Sequence, residues 1–174
     1  LDLDPGRRTA VFVGSGHRPN IDAGRHIVEL ARATPDVDFL LAGAHSTHLA
    51  DGHLPANAHL LGPVSDELLD LLLASCDVAL NPMSGGSGSN LKLLTYLAAG
   101  IPVVSTDVGA RGIDAAAAGV EIEPLERFAA GIDSALRGDG TERSLAGRRY
   151  VEEHCDWRAI GRRFAALVED HLPT

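Results

Sequence analysis

Apolar residues recur along this chain in two alternating rhythms. Short apolar runs, bounded by glycine or by acidic and turn residues, read as strands buried on both faces: 9–13, 38–42, 59–61, 77–80, 101–104 and 120–122. Between them lie longer stretches whose apolar positions recur three and four residues apart, the period of a helix. One covers 21–33, with Ile27, Leu30 and Ala31 turned inward. A second starts behind Ser65, an N-cap followed by the first-turn acids Asp66 and Glu67, and runs through Leu73. A third begins near Asn90, carries Leu91, Leu94, Leu97 and Ala98 on one face, and stops at Gly100. Helices are also expected from Pro124 to Leu136, over 141–153 and over 157–171, while 44–57 is polar, with a weak helical pattern at 47–50. Strands alternating with helices at this spacing predict an α/β fold, a parallel sheet of about six strands with helices on both faces. There is no internal repeat; residues 1–8 read as a linker and 9–174 as a single domain.

The stretch over 81–106, NPMSGGSGSNLKLLTYLAAGIPVVST, organises the rest. Strand, glycine-rich loop, helix and strand make one βαβ crossover there, and the loop falls at the carboxyl end of its first strand, where open α/β sheets bind ligands. Glycines allow the backbone to approach closely and let successive N–H groups point into one concavity. The helix N-terminus near Asn90 then favours an anion. Ser87, Ser89 and Asn90 add side-chain donors, and Lys92 adds a positive charge in the first turn, a position the helix dipole ordinarily disfavours for a cation. The combination predicts a phosphate or diphosphate cradle. A second loop, Gly14-Ser15-Gly16, follows the first strand, with Arg18 as a charge partner. It departs from the dinucleotide fingerprint, because Pro19 stands at the third glycine position and the second strand ends in Leu41-Ala42-Gly43 rather than in an acid.

Composition narrows the partners. The chain has 174 residues, 45% hydrophobic and 22% charged, with a formal net charge of −9 and aromatics at only 4%, so the core is aliphatic. The acidic balance argues against nucleic acid and against an anionic membrane surface, and no apolar run approaches a membrane span, so a cytoplasmic protein is the default expectation. Cys76 and Cys155 form neither a metal motif nor a disulfide framework; Cys76 reads as a small buried core residue closing a leucine-rich helix. His45, His48 and His53 are spaced HxxHxxxxH without a completing cysteine or carboxylate, which favours a solvent-exposed loop over a metal site. No paired carboxylates and no nucleophile elbow are evident. Trp157 reads as an aromatic anchor packing the last helix on the sheet, and Arg158, Arg162 and Arg163 as a solvated face.

The segment GSGSNLKLLTYLAAGIPVVSTDVGARG resembles the donor-site region of GT-B glycosyltransferases, in the group of retaining, glycogen-synthase-like enzymes. Gly14-Ser15-Gly16-His17 with Pro19-Asn20, the stretch over 64–82 and the closing Trp157 helix are similar to further parts of the same group, so the resemblance covers nearly the whole chain. It implies a Rossmann-like domain that is the C-terminal, donor-binding half of a GT-B fold, within a longer polypeptide whose N-terminal domain holds the acceptor. It further implies a glycosyltransferase whose donor is a nucleotide-diphosphate sugar, with no other cofactor and no metal. Carried over residue by residue, Gly88, Ser89, Asn90, Leu91 and Lys92 would meet the donor's phosphates and sugar. Gly14, Ser15 and Gly16 would approach the diphosphate from the other side, and Gly62 and Val64 would border the base. Lys92 is the candidate for stabilising the departing nucleoside diphosphate.

The departures are equally specific. Many members carry two glutamates eight residues apart in this region, where this chain has Ser87 and Thr95, and Ser15 stands where an arginine is common. Lys92 and Arg18 supply charge instead. Two alternatives stay open: a non-catalytic nucleotide-binding module on the same fold, and a different sugar-nucleotide enzyme such as an epimerase. The isolated domain is expected to lack transferase activity.

Overall fold

The computed structural model describes residues 3–50, 52–86, 91–137 and 140–171. Six strands form one parallel sheet in the order β3-β2-β1-β4-β5-β6. They are β1 (Arg8–Val13), β2 (Val37–Ala42), β3 (Ala58–Gly62), β4 (Val78–Asn81), β5 (Val103–Ser105) and β6 (Glu121–Ile122). The helices are α1 (Arg18–Ala33), α2 (Asp66–Ser75), α3 (Leu91–Ala99), α4 (Phe128–Arg137), α5 (Thr141–His154) and α6 (Trp157–His171). The expected α/β architecture, Rossmann-like with helices on both faces, is therefore the one observed.

Because side chains alternate across a strand, each strand feeds two cores. Ala10 and Phe12 of β1, Phe39 and Leu41 of β2, and Val78 and Leu80 of β4 lie in one apolar cluster with Ile27 and Ala31 of α1 and Phe128 and Ile132 of α4. Val11, Leu40 and Ala79 point the opposite way, into a cluster with Leu72 and Leu73 of α2 and Leu93, Tyr96 and Leu97 of α3. Every residue of β2 and β4 is buried, which explains why both read as continuous apolar runs.

The boundaries shift where local chemistry decides. α1 begins three residues before the sequence pattern suggested, because Pro19 fits the first turn, where a missing N–H costs nothing. β5 begins after Pro102, which cannot donate to the ladder, although its carbonyl still accepts from Ala79 N at 2.8 Å. The segment at 44–49 is a 3₁₀ turn (Ala44–Leu49), and a second 3₁₀ turn (Leu125–Arg127) precedes α4. Ser65 caps α2 as expected, its Oγ accepting from Leu68 N at 3.3 Å.

Three expectations are overturned. The inner face of α3 is Leu93, Tyr96 and Leu97, a set displaced from the one expected, and Leu91 is 68% exposed. Tyr96 explains the displacement: its ring is the largest fully buried side chain, and a phenol that must reach a buried backbone donor fixes the rotation of the helix. Trp157 does not anchor α6 on the sheet; it is 84% exposed, in a row of exposed apolar residues with Ile160, Phe164 and Leu167. His45 does not belong to a solvent-exposed loop but is fully buried, whereas His48 and His53 are exposed as expected. Cys76 is half-buried against the α2/α3 cluster, and burial pushes its thiol up to about 11.

The hydroxyl of Tyr96 accepts a hydrogen bond from Val13 N at 2.8 Å, tying α3 to the carboxyl tip of β1. Tyr96→Phe keeps the ring but leaves that donor unpaired in a part-buried place. It is expected to destabilise the fold by about 1–3 kcal/mol in urea denaturation, with an unchanged denaturant slope. A loss under a few tenths of a kcal/mol would show that the bond is dispensable.

Candidate functional site

The sheet reverses its winding between β1 and β4, since β1 leads outward to β2 and β3 while β4 leads to β5 and β6. Loops leaving these two strands must part there, and the gap between them is the usual ligand crevice of such sheets. β1 is followed by Gly14, which is buried, and the chain continues through exposed Ser15 and Gly16 into α1. On the other side, the chain leaving β4 passes Met83 to Gly86, and a Cβ built on Gly86 would lie 3.8 Å from Pro19 in the first turn of α1. The two loops and the N-terminus of α1 thus converge.

Lys92 crosses this gap. It departs from α3 on one face of the sheet and reaches over the strand tips to the other. There its Nζ donates to Asn20 Oδ1 of α1, sits 3.6 Å from Met83 Sδ, and stands 4.6 Å from the centre of the Phe12 ring. Burial, with no carboxylate partner among the described residues, lowers its pKa to about 8. The amide oxygen and the ring face are neutral acceptors that only partly replace water around an ammonium ion. The amine is therefore an electropositive group short of an anion.

Beneath it, the tip of β1 is held rigidly. Gly14 N donates to Ala42 O at 3.0 Å, and the Gly14 carbonyl faces Gly43, where φ is +110° and an added Cβ would fall 2.2 Å from that oxygen. Only glycine fits at Gly43. Gly43 N in turn donates to Gly62 O at 2.7 Å, and Gly62 N donates to Ser46 Oγ at 3.0 Å, so the tips of β1, β2 and β3 form one connected edge.

A second network lies at the tips of β4 and β5. Asn81 Nδ2 donates to Ser105 Oγ at 3.2 Å and to Gly109 O at 3.0 Å, while Thr106 Oγ1 donates to Met83 O at 2.6 Å and accepts from Gly109 N at 3.0 Å. These buried bonds clamp the loop after β5 onto the loop after β4. From that loop Arg111 Nη2 donates to Gly86 O at 2.5 Å. Beside it, Met83, Thr106, Val108, Ile122, Glu123 and Leu125 border a cleft of about 530 Å³ at the tips of β4 to β6. Cavities lined by Arg7, Asp38 and His59, or by His26, His48 and His53, lie away from these carboxyl ends.

Of the residues singled out in the sequence, Gly14, Ser15, Gly16 and Lys92 meet at the crevice. Arg18 is the first residue of α1, but its guanidinium is exposed and bonded to Asp22 at 2.9 Å. Gly62 and half-buried Val64 lie at the tip of β3, two strands from β1. Leu91 and Thr95 sit on the outward side of α3, where Thr95 Oγ1 donates to Leu91 O at 3.3 Å. Ser87, Gly88, Ser89 and Asn90 lie outside the described residues. Asn20, Phe12, His45, Arg111 and the Asn81–Ser105–Thr106 network were missed. The last had a signal, since polar residues directly after apolar strands mark the binding edge of a parallel sheet. Among the described residues, no group of three His, Cys, Asp or Glu side chains is placed to hold a metal ion, and no helix is long and apolar enough to cross a membrane.

The lowered pKa of Lys92 predicts a pH signature. Between about pH 8 and the unfolded value near 10.5, the unfolded chain binds a proton that the folded chain has released, so this residue makes stability rise with pH across that window. Cys76, raised to about 11 in the fold, acts in the opposite direction, so the informative quantity is a difference between variants. Lys92→Met is expected to gain on the order of 1–3 kcal/mol at pH 7, an advantage that shrinks toward pH 10.5, in parallel denaturation curves. A gain independent of pH would show that the amine is fully solvated.

The family profile described as "Glycosyl transferases group 1" matches residues 7–137. A phosphatidyl-myo-inositol mannosyltransferase of Mycobacterium tuberculosis (strain CDC 1551 / Oshkosh) is 27% identical over 180 residues, covering 93% of this chain and 47% of that protein. The chain thus spans about half the length of the curated relatives it matches. Among solved structures, Anabaena HepE, in complex with UDP and glucose, superposes with a TM-score of 0.71 at 16% identity, over 95% of this chain and 49% of that one. The C-terminal domain of a group 1 family protein (LpcC) from Francisella tularensis superposes with a TM-score of 0.62 at 13% identity, over 87% of both chains.

Proposed function

We propose, since this chain belongs to the group 1 glycosyl transferases, that it is the donor-binding domain of an enzyme transferring a sugar from a nucleotide-diphosphate sugar to an acceptor. The observation that carries this reading is Lys92, an amine turned into the switch-point crevice with neutral partners only, between Asn20, Met83 and Phe12. A diphosphate placed there would restore the charge that burial suppresses. Lys92 and the convergent backbone of Gly14 to Gly16 would orient it and take up the negative charge that grows on the departing nucleoside diphosphate. Agreement in fold with a protein solved together with UDP and glucose supports the same ligand class. An acceptor site, and any general base, would belong to a further domain of the whole protein, as the half-length match to the relatives suggests.

Titration calorimetry with UDP, GDP and ADP tests the reading. One of them is expected to bind saturably, with Lys92→Ala weakening it by about 10- to 100-fold, the range of a charge-assisted contact. Binding should take up a proton above about pH 8, because the anion returns Lys92 to its charged form; affinity then falls as pH rises beyond 8. His45, the other titratable group near this amine, lies below its usual range and stays neutral throughout. Equal affinity in wild type and Lys92→Ala would remove Lys92 from the site. Nucleotide binding by a whole protein inactive with every nucleotide sugar would favour the non-catalytic module, a reading that Ser87 and Thr95 motivate.

A further inference from the structure

His45 is fully buried at the start of the 3₁₀ turn that follows β2, and it makes contacts a core filler does not need. Its Nδ1 lies 2.9 Å from the Gly14 carbonyl oxygen, and its own backbone N reaches the same oxygen at 3.4 Å. A carbonyl can only accept, so Nδ1 carries the proton and the ring is the Nδ1–H tautomer. Its Nε2 is buried without a partner among the described residues. Burial holds the imidazole below the usual histidine range, against the Gly14 carbonyl and with help from the charge of Lys92. The ring also stands nearly perpendicular to Phe12, centroids 4.8 Å apart at 76°, and Lys92 Nζ rests over that same Phe12 ring.

These contacts act on the crevice through one peptide plane. With the Gly14 carbonyl drawn toward the β2 side, planarity of the trans peptide turns the Ser15 N–H the opposite way, toward β4 and the gap that Lys92 spans. That N–H has no hydrogen-bond partner among the described residues. Space for the arrangement is made by two further glycines. A Cβ on Gly14 would meet His45 Nδ1 at 2.9 Å, and one on Gly24 would meet His45 Cδ2 at 2.9 Å.

We propose that His45 is a positioning residue for diphosphate recognition: its Nδ1–H fixes the Gly14 carbonyl so that the Ser15 N–H faces the ligand, and its ring supports Phe12 beneath Lys92. This rests on the donor-site reading above. It adds to that site a residue that never touches the ligand.

Two substitutions separate positioning from packing. His45→Phe keeps a ring against Phe12 but has no donor. His45→Asn places an amide N–H near the Nδ1 position but leaves a void where the ring was. With the nucleoside diphosphate that binds wild type, His45→Phe is expected to raise Kd about tenfold or more, and His45→Asn by no more than about threefold. Thermal melting should rank the two the other way, the Asn variant being less stable for its cavity. Should the Phe variant fail to fold, His45→Leu, also donor-free, takes its place. Affinity that follows the melting order, or that is unchanged in both variants while Lys92→Ala weakens binding, overturns the role of His45 alone. A wild type that binds no nucleoside diphosphate overturns the donor reading and this proposal together.

Discussion

The constraint on which this structure depends is that β1 is buried on both faces and flanked by strands on both edges, yet must release its chain into the gap where the sheet reverses. A strand tip so placed has backbone groups that neither solvent nor a ladder can satisfy, and each orphan inside an apolar layer costs more than a typical hydrogen bond contributes. The chain meets the demand with groups from three elements, two of them side chains. Tyr96 takes the Val13 N–H from α3, His45 takes the Gly14 carbonyl from the turn after β2, and the β2 backbone takes the Gly14 N–H. With those directions occupied, what remains at the tip points into the crevice. The shape of the crevice edge is thus a by-product of satisfying the fold, and its rigidity comes from the core beneath it.

The same logic explains Lys92. A lysine in the first turn of a helix opposes the dipole, and burial opposes its charge, so two unfavourable terms act on one residue. The cation–π contact with Phe12 and the Asn20 bond offset part of this, on the order of 1–2 kcal/mol. The rest is strain of an electrostatic kind, relieved by a ligand and by little else in the described structure. Sites that recognise anions commonly carry such uncompensated charge, because stability lost in the empty state becomes selectivity in the bound one.

Much of the architecture was legible because periodicity is a global property. Fully buried β2 and β4, apolar but for Asp38 and Asn81, the glycine stops and the Ser65 cap each specify their element with neighbours only a few residues away. What escaped was set by contacts distant in sequence. The rotation of α3 follows from Tyr96 reaching Val13, 83 residues earlier. The burial of His45 follows from Gly14 and Gly24 leaving a slot under α1. A histidine in a polar stretch gives no local sign that it will be fully buried. Trp157 failed for the converse reason: the row with Ile160, Phe164 and Leu167 has a helix's apolar period, but periodicity states that a face is apolar and not what covers it.

For a chain of net charge −9 to attract an anion, as proposed for the switch-point crevice, its positive field must be local. The acidic side chains that dominate the total lie on exposed helix surfaces, many paired with arginines, as Asp22 is with Arg18 and Arg25 and Glu152 is with Arg148. Exposed charges are screened within about 10 Å at ordinary ionic strength, whereas the buried Lys92 amine is screened less. The long-range field would then slow the approach of the proposed diphosphate without cancelling its final contacts. The one lysine of the chain thus stands where the local field, not the net charge, decides what the crevice attracts.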